Sequence, residues 1–314
     1  MELLIRSMKS QAEDIVSLEL VSPSGEPLPA FSAGAHIDLV LGNGLTRSYS
    51  LVNDQSERDR YVIAVNKDPS SRGGSRYVHE TLRARQSIEV SAPRNHFPLV
   101  EDAPQVVFIA GGIGVTPLLC MIRRLDALGR PWKLFYSARS RRKCAYLTEL
   151  LDLDRDRGNV RFHFVDECDG RLPDMGTLVA PVPGDAHLYC CGPSPMLNAF
   201  ERATAARPAE NVHVEYFSAQ QEAVVSGGFT VVLARSRREV RVEPGNSILD
   251  ALLGDGVDVG HACKEGVCGA CQTKVLDGVP DHRDSYLTSR EKNAGDTIML
   301  CCSGSVSDTL VLDL

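Results

Sequence analysis

Hydrophobic and polar residues alternate in short runs over the first hundred residues of the chain. The clearest runs are DIVSLEL at 14–20, AHIDLVL at 35–41, RSYSLV at 47–52 and YVIAVNK at 61–67. Alternation with a period of two, interrupted by Gly, Pro and Asn, predicts β-strands joined by turns. We expect residues 1–102 to form a small antiparallel β-barrel, interrupted by one helix in SRYVHETLRA at 75–84.

The pattern changes after residue 103. Continuous apolar runs, which predict strands, alternate there with segments in which apolar residues recur every three or four positions, as they do in helices. The strands are QVVFIA, KLFYSA, VRFHFV and AHLYCC, and the two clearest helices are TPLLCMIRRLDAL and CAYLTELLDL. Strands that alternate with helices predict a parallel sheet with helices on both faces. Residues 103–225 are therefore expected to form an α/β domain with a nucleotide-binding architecture.

A third unit follows a small, polar segment, SAQQEAVVSG at 218–227, which suits a linker. Its pattern predicts a hairpin in FTVVLARSRREVRVEP, a helix in SILDALLGD, and closing strands in TIMLCC and TLVLDL. We expect residues 226–314 to form an α+β domain, so the chain is predicted to be multidomain.

Composition and charge narrow the possible partners. The chain has 314 residues, 43% hydrophobic and 24% charged, with a net charge of -7 and a pI near 5.7. This balance provides no basic field for nucleic acid, which we exclude as a partner. The first twenty residues contain neither a signal-type apolar core nor a membrane span, so we expect no membrane association and a cytoplasmic location, where the ten cysteines stay reduced.

Four cysteines near the end of the chain have an informative spacing. Cys263 and Cys268 are separated by four residues, Cys268 and Cys271 by two, and Cys301 follows after 29 more. This is the plant-type spacing of a 2Fe-2S cluster, whose ligands are four thiolates. Nearby glycines, namely Gly260, Gly266 and Gly269, allow the loop to adopt positive φ and direct amides toward the cluster.

Two alternatives bear on these thiols. Four cysteines also suit a tetrahedral zinc ion, but zinc modules usually pair two C-x2-C knuckles and only one is present. Cys302 competes with Cys301 as the fourth ligand. If both lie on one strand, only one side chain faces the cluster, and we favour Cys301.

A glycine-rich turn joins the first strand and helix of the α/β domain. It reads Gly111-Gly112-Ile113-Gly114-Val115-Thr116-Pro117, and the absence of side chains lets a pyrophosphate approach the helix amides. A second turn, Cys191-Gly192-Pro193, ends a later strand of the same domain. The two turns are expected to border one crevice at the carboxyl edge of the sheet, although an ordinary strand-turn-helix junction would contain the same glycines.

Two further motifs lie in the first domain. Arg47-Ser48-Tyr49-Ser50 combines a cation, two hydroxyls and an aromatic ring, and Gly73-Gly74-Ser75 opens the predicted helix, where a phosphate can be bound. Either motif alone also fits an ordinary surface strand or helix cap.

Taken together and in this order, these five motifs resemble the ferredoxin-NADP reductase superfamily over the whole chain, in particular its phthalate dioxygenase reductase type (class IA oxygenase reductases). The resemblance implies an FMN-binding β-barrel at 1–102, an NAD(H)-binding domain at 103–225 and a β-grasp ferredoxin domain at 226–314. It also implies FMN, NADH and a 2Fe-2S cluster as cofactors.

The resemblance further assigns roles to individual residues. Arg47 is expected near the FMN phosphate, Ser48, Tyr49 and Ser50 at the flavin, and Gly74 and Ser75 around the phosphate. Val65 and Lys67 are expected beside the ring, and Phe217 stacked on it, although Phe217 also suits a core position at the end of a strand. The expected NADH contacts, of which Thr116 and Cys191 lie at the nicotinamide, are Gly111, Gly112, Gly114, Thr116, Ser137, Arg139, Cys191, Gly192 and Pro193.

The three cofactors imply one path for electrons. A hydride carries two electrons and the cluster accepts one, so a flavin between them must split the pair. Ser50, Thr116 and Cys191 are the residues expected at the hydride-transfer site. The implied function is the reductase component of an oxygenase or demethylase system whose acceptor is a Rieske-type oxygenase.

Three alternatives remain at this point. Arg139, Arg141 and Arg142 form a cluster that suits the 2′-phosphate of NADPH, although the resemblance favours NADH. A flavin reductase or diaphorase that serves a non-oxygenase acceptor is the second function considered. A simple electron carrier with a decayed nucleotide site is disfavoured by the intact GGIGVTP and CGP motifs.

Overall fold

The computed structural model describes residues 1–69, 71–155, 157–218 and 221–314. The chain divides into two compact units, Met1–Glu215 and Tyr216–Leu314. The predicted limits 1–102, 103–225 and 226–314 stay predictions. Within the described parts of the chain, every helix is too short or too polar to cross a bilayer.

The first unit opens with a six-stranded antiparallel sheet in the order β4-β3-β6-β1-β2-β5. Its two outermost strands approach each other, because the Val52 amide that follows β4 donates to the Val62 carbonyl of β5 at 2.8 Å. The sheet thus curves toward the barrel expected from the alternating pattern. The strands are β1 Glu2–Ala12, β2 Ile15–Val21, β3 His36–Val40, β4 Thr46–Ser50, β5 Tyr61–Asn66 and β6 Ser87–Val90.

Among the described residues of this region, one segment is helical: α1 spans Gly74–Glu80 and ends four residues before the predicted end. The amides of Thr81 and Leu82 both donate to the Tyr77 carbonyl, at 2.9 and 3.3 Å, which closes the last turn.

The second sheet of the first unit is fully parallel, in the order β11-β10-β7-β8-β9. Strands β8 and β9 lie on one side of β7, and strands β10 and β11, which come later in the chain, lie on its other side. This reversal places a topological switch point between β7 and β10. The strands are β7 Val106–Gly111, β8 Trp132–Ala138, β9 Val160–Phe164, β10 His187–Cys191 and β11 Val212–Glu215.

Helices surround this parallel sheet, and one buried core extends from it into the first sheet. The helices are α2 Val115–Ala127, α3 Leu147–Asp154, α4 Met175–Val179 and α5 Ser194–Thr204. Helix α3 starts three residues after its predicted start, because Tyr146 adopts a left-handed φ of 59° and breaks the helical path.

The second unit is an α+β fold with its own core. A mixed sheet in the order β13-β12-β18-β14-β16 packs with α6, whose N-cap Ser247 accepts the Asp250 amide at 3.1 Å. The β-grasp prediction is confirmed. The elements are β12 Phe229–Leu233, β13 Arg238–Val242, α6 Ile248–Gly254, β14 Gln272–Asp277, β15 Pro280–Asp281, α7 Ser289–Ala294, β16 Thr297–Met299, β17 Gly304–Ser305 and β18 Thr309–Leu312.

Candidate cofactor sites

The four predicted cluster cysteines lie together in the second unit. Cys263, Cys268, Cys271 and Cys301 are all buried, and none of the ten cysteines forms a disulfide. Hydrogen bonds from the Cys268 and Cys301 thiols hold the pKa of Cys263 well below its usual range. A hydrogen bond from the Cys301 thiol likewise lowers the pKa of Cys271.

Backbone amides of the cysteine loop point at these sulfurs. The Cys263 amide donates to Cys268 Sγ at 3.5 Å, and the Glu265 amide donates to Cys263 Sγ at 3.3 Å. Gly266 and Gly269 both adopt a φ of 72°, as predicted, whereas Gly260 does not enter the left-handed region. The donor set therefore fits a cluster whose thiolates need amide hydrogen bonds.

The loop geometry also bears on the zinc alternative. The four thiols form one connected group, in which Cys263 contacts Cys268 and Cys301, and Cys301 contacts Cys271. Four thiolates are the donor set both of a 2Fe-2S cluster and of a zinc ion, and the plant-type spacing favours the cluster.

Cys301 and Cys302 do not share a strand, contrary to our interpretation of TIMLCC. Strand β16 ends at Met299, because the amides of Cys302 and Ser303 both donate back to the Met299 carbonyl, at 3.4 and 3.1 Å. In the resulting turn, the Cys301 thiol contacts the thiols of Cys263 and Cys271. The Cys302 thiol lies 3.9 Å from Ser303 Oγ and also contacts the Cys301 thiol, so it borders this group.

The two glycine-containing turns of the α/β region meet at the carboxyl edge of the parallel sheet. A Cβ on Gly114 would lie 2.2 Å from the Cys191 carbonyl oxygen, and a Cβ on Gly111 would lie 2.6 Å from Pro193 Cδ. Gly112 has a φ of 55° and faces open space. Only glycine at 111 and 114 permits this close approach, and the resulting bare backbone suits a pyrophosphate.

Thr116 and Cys191 are both buried at this edge. The Thr116 hydroxyl donates to the Ile113 carbonyl at 3.0 Å and fixes the turn before α2. Burial raises the pKa of the Cys191 thiol far above its usual value, so this thiol stays protonated. Ser137 is buried near the end of β8, while Arg139 is exposed just beyond it.

The structure adds Glu215 to this edge, a residue that we did not predict. Glu215 ends β11 directly opposite Cys191 on β10. Burial raises the pKa of its carboxyl to about 8, and its Oε2 atom is buried without a hydrogen-bond partner in the described structure. The one sequence signal for Glu215 is an acidic residue within the apolar segment VHVEYF. This signal becomes informative only when β11 is known to pair with β10.

In the first sheet, Arg47 lies against the start of α1. A Cβ on Gly74 would come within 2.9 Å of both Cγ and Nε of Arg47, so the guanidinium stem rests on the bare backbone of Gly74. A cation next to free helix amides is an arrangement suited to a phosphate. The hydroxyl of Ser75, in the same turn, accepts the Asp68 amide at 3.1 Å.

The remaining predicted flavin residues occupy different environments. Tyr49 is half-buried, and burial raises its pKa to about 12. Ser50 is buried, whereas the Ser48 hydroxyl donates to Asp38 Oδ1 at 2.6 Å, and so is directed at the protein.

Strand β5 and the second unit contribute the others. The Val65 side chain is buried in the first core, and Lys67 pairs with Glu80 at 2.9 Å near the surface. Phe217 belongs to the second unit and is 39% exposed. Its stacking on the flavin stays a prediction.

Comparisons with known proteins agree with this arrangement of sites. Residues 108–202 match the oxidoreductase NAD-binding domain family, and residues 231–305 match the 2Fe-2S iron-sulfur cluster binding domain family. The second match includes Cys263, Cys268, Cys271 and Cys301.

Individual relatives match over nearly the whole chain. Phenoxybenzoate dioxygenase subunit beta of Ectopseudomonas oleovorans is 51% identical over 312 residues, which cover 99% of this chain and 97% of that protein. Tetrachlorobenzoquinone reductase of Sphingobium chlorophenolicum is 48% identical over 316 residues, with 100% and 98% covered. The solved structure of phthalate dioxygenase reductase is 39% identical to this chain, with a TM-score of 0.76, and the match covers 100% of this chain and 98% of that one. That structure is described as modular, for electron transfer from pyridine nucleotides to 2Fe-2S.

Full-length identity of this degree, together with both domain families, identifies the family. The chain therefore belongs to the phthalate dioxygenase reductase family, and it is an NADH-dependent oxidoreductase that uses FMN and a 2Fe-2S cluster.

Proposed function

We propose that the chain is the cytoplasmic reductase component of an oxygenase or demethylase system, and that its acceptor is a Rieske-type oxygenase. The observation that carries the proposal is the buried four-thiol group in the same chain as an intact nucleotide edge. A relative named as a dioxygenase subunit supports the choice of partner. Ten free cysteines suit a reducing compartment such as the cytoplasm.

The proposed cluster ligands are Cys263, Cys268, Cys271 and Cys301. The contacts among their thiols and the two amide-to-sulfur hydrogen bonds support this set. Cys301 is preferred to Cys302 as the fourth ligand because its thiol contacts two of the other three proposed ligands, Cys263 and Cys271.

The proposed FMN site uses Arg47 and Gly74 for the phosphate, with Ser75 beside them. Tyr49 provides an aromatic face and Ser50 a buried hydroxyl. The remaining residues of the proposed site are Ser48, Val65, Lys67 and Phe217.

For NADH, the proposed site is the joined pair of turns at the carboxyl edge. Thr116 and Cys191 border the nicotinamide, and both are held rigidly, Thr116 by its hydrogen bond to Ile113 and Cys191 by β10. FMN held by the site in the first sheet would supply an acceptor for the hydride of NADH and a donor of single electrons to the cluster. The remaining residues of the proposed site are Gly111, Gly112, Gly114, Ser137, Arg139, Gly192 and Pro193.

The charge of the second unit favours a basic docking surface on the partner. Residues 227–314 contain 9 Lys and Arg against 13 Asp and Glu. Complementary charge chiefly accelerates association, so electron delivery should slow as salt increases.

Anaerobic rapid mixing tests the proposal. NADH should bleach the flavin, and the reduced protein should then reduce the Rieske centre of the oxygenase encoded beside it. Cys271→Ser should abolish Rieske reduction but retain NADH-dependent bleaching, whereas the matched control Cys302→Ser should retain both. Equal loss of both steps in a folded Cys271→Ser protein would contradict the proposed order of electron flow.

A second candidate function is reduction of a quinone, favoured by the 48% identity to a tetrachlorobenzoquinone reductase. Turnover of a chlorinated benzoquinone without any oxygenase would support it. Failure to reduce any Rieske centre, together with rapid quinone reduction, would replace the first candidate with the second.

A further inference from the structure

The carboxyl ends of β8 and β9 bring an arginine cluster against an acidic turn. The Asp166 amide donates to the Arg139 carbonyl at 3.1 Å, so the segments that follow the two strands run side by side. Arg139, Arg141 and Arg142 are exposed on one segment, and Asp166 and Glu167 are exposed on the other. In dinucleotide-binding sheets, the end of the second strand is where the adenosine ribose is recognised.

Arg141 is held in place from two directions. Its Nε and Nη2 donate to the two carboxylate oxygens of Glu167, at 2.6 and 3.2 Å, in a forked pair. The guanidinium also lies over the Phe164 ring, 4.5 Å from its centroid. A planar guanidinium fixed in this way has the geometry that binds phosphate, but Glu167 already occupies it.

We propose that Glu167 sets the preference for NADH over NADPH by occupying Arg141. A 2′-phosphate would have to displace the Glu167 carboxylate and would lie beside its negative charge. A 2′-hydroxyl meets neither obstacle, because it is neutral and can donate to a carboxylate oxygen that retains lone pairs. Glu167 is thus a specificity-determining residue, and the inference rests on the NADH site proposed at this edge.

The test compares NADH and NADPH as substrates, with ferricyanide as an acceptor that takes electrons from the flavin. Glu167→Gln should raise kcat/KM for NADPH by about threefold or more and should lower the NADH-to-NADPH preference by at least that factor. The double variant Arg141→Gln/Glu167→Gln should lose the gain, because the freed guanidinium is its source. The gain should also shrink at high salt.

The chain offers a matched control in the next turn. Asp169 pairs with Arg171 at 3.6 Å, and both side chains are more than 80% exposed, at 88% and 81%. Asp169→Asn removes the same charge close by without releasing Arg141, and it should leave the preference unchanged.

Three results would overturn the inference. They are an equal shift of the preference in Glu167→Gln and Asp169→Asn, an unchanged preference in Glu167→Gln, and a gain for NADPH that persists in the double variant. Failure of the proposed function is seen separately, as a wild-type protein that oxidises NADH but reduces no Rieske centre.

Discussion

Replacing Glu215 with glutamine should remove a pH dependence of stability that this residue creates. Glu215 ends β11 beside Cys191, with a buried Oε2 atom that accepts no hydrogen bond within the described structure. Burial without a partner disfavours the ionised carboxylate and so raises its pKa from 4.5 to about 8. Glutamine has nearly the same shape and cannot ionise.

The sign follows from where the proton is bound. Between pH 4.5 and 8, the folded chain keeps the proton on Glu215 and the unfolded chain releases it. The contribution of Glu215 to stability is therefore greatest below pH 4.5 and is lost as pH rises through that interval. At about 1.4 kcal/mol for each pH unit, the loss at pH 7 is about 3 kcal/mol, an order-of-magnitude figure.

The assay is urea unfolding of the FMN-bound protein from pH 5 to 8.5, followed by tryptophan fluorescence. Trp132, the one tryptophan of the chain, is buried in β8 of the same unit as Glu215. Glu215→Gln should gain stability relative to the wild type as pH rises across this range. Other titrating groups, such as His213, whose lowered pKa adds stability up to pH 6.5, are common to both proteins. Glu210→Gln, at an exposed position of the same unit, is the control and should follow the wild type. Parallel curves for wild type and Glu215→Gln would refute the reasoning.

Three further predictions concern the other sites. Gly114→Ala places a Cβ 2.2 Å from the Cys191 carbonyl oxygen, so it should cost about 1–3 kcal/mol of stability and raise KM for NADH. Gly184→Ala, which meets no atom within 4 Å, should change neither quantity, and equal effects would contradict this account. Cys301→Ser should lose the visible absorbance of the cluster and Cys302→Ser should keep it; the reverse result would reassign the fourth ligand. Arg47→Gln should weaken FMN binding about tenfold or more, measured by flavin fluorescence. Riboflavin, which lacks the phosphate, should bind with little change, and an equal loss for both flavins would exclude a phosphate contact.

The fold class could be predicted from sequence because each region has its own hydrophobic period. The strands that we did not predict lie where that period is absent. Strand β1 buries Leu3 and Ile5, but its second half, from Ser7 to Ala12, is half-buried or exposed and mostly polar. Strand β6 has only four residues. Neither gives a periodic signal long enough to separate a strand from a loop.

The residues of the candidate sites also differ in whether the sequence alone could identify them. The glycine turns and the cysteine loop are continuous in sequence, so their residues could be named in advance. Glu215 acquires its unusual pKa through burial at the end of β11, which no local pattern encodes. The choice between Cys301 and Cys302 depends on the turn at Met299, where two amides converge on one carbonyl. A prediction based on strand alternation could not include that turn.

The arrangement of the cores explains why electron entry and electron exit can be tested separately. The first and second sheets share one hydrophobic core, and Arg123 of α2 also donates to the Val52 carbonyl beyond β4, at 2.7 Å. A substitution such as Gly114→Ala is therefore expected to disturb the flavin and nucleotide sites together. The cysteines of the second unit pack instead within that unit, against its own core. Loss of a cluster ligand should consequently leave the folding of the first unit and its reduction by NADH intact, and it is this independence that gives the Cys271→Ser experiment its meaning.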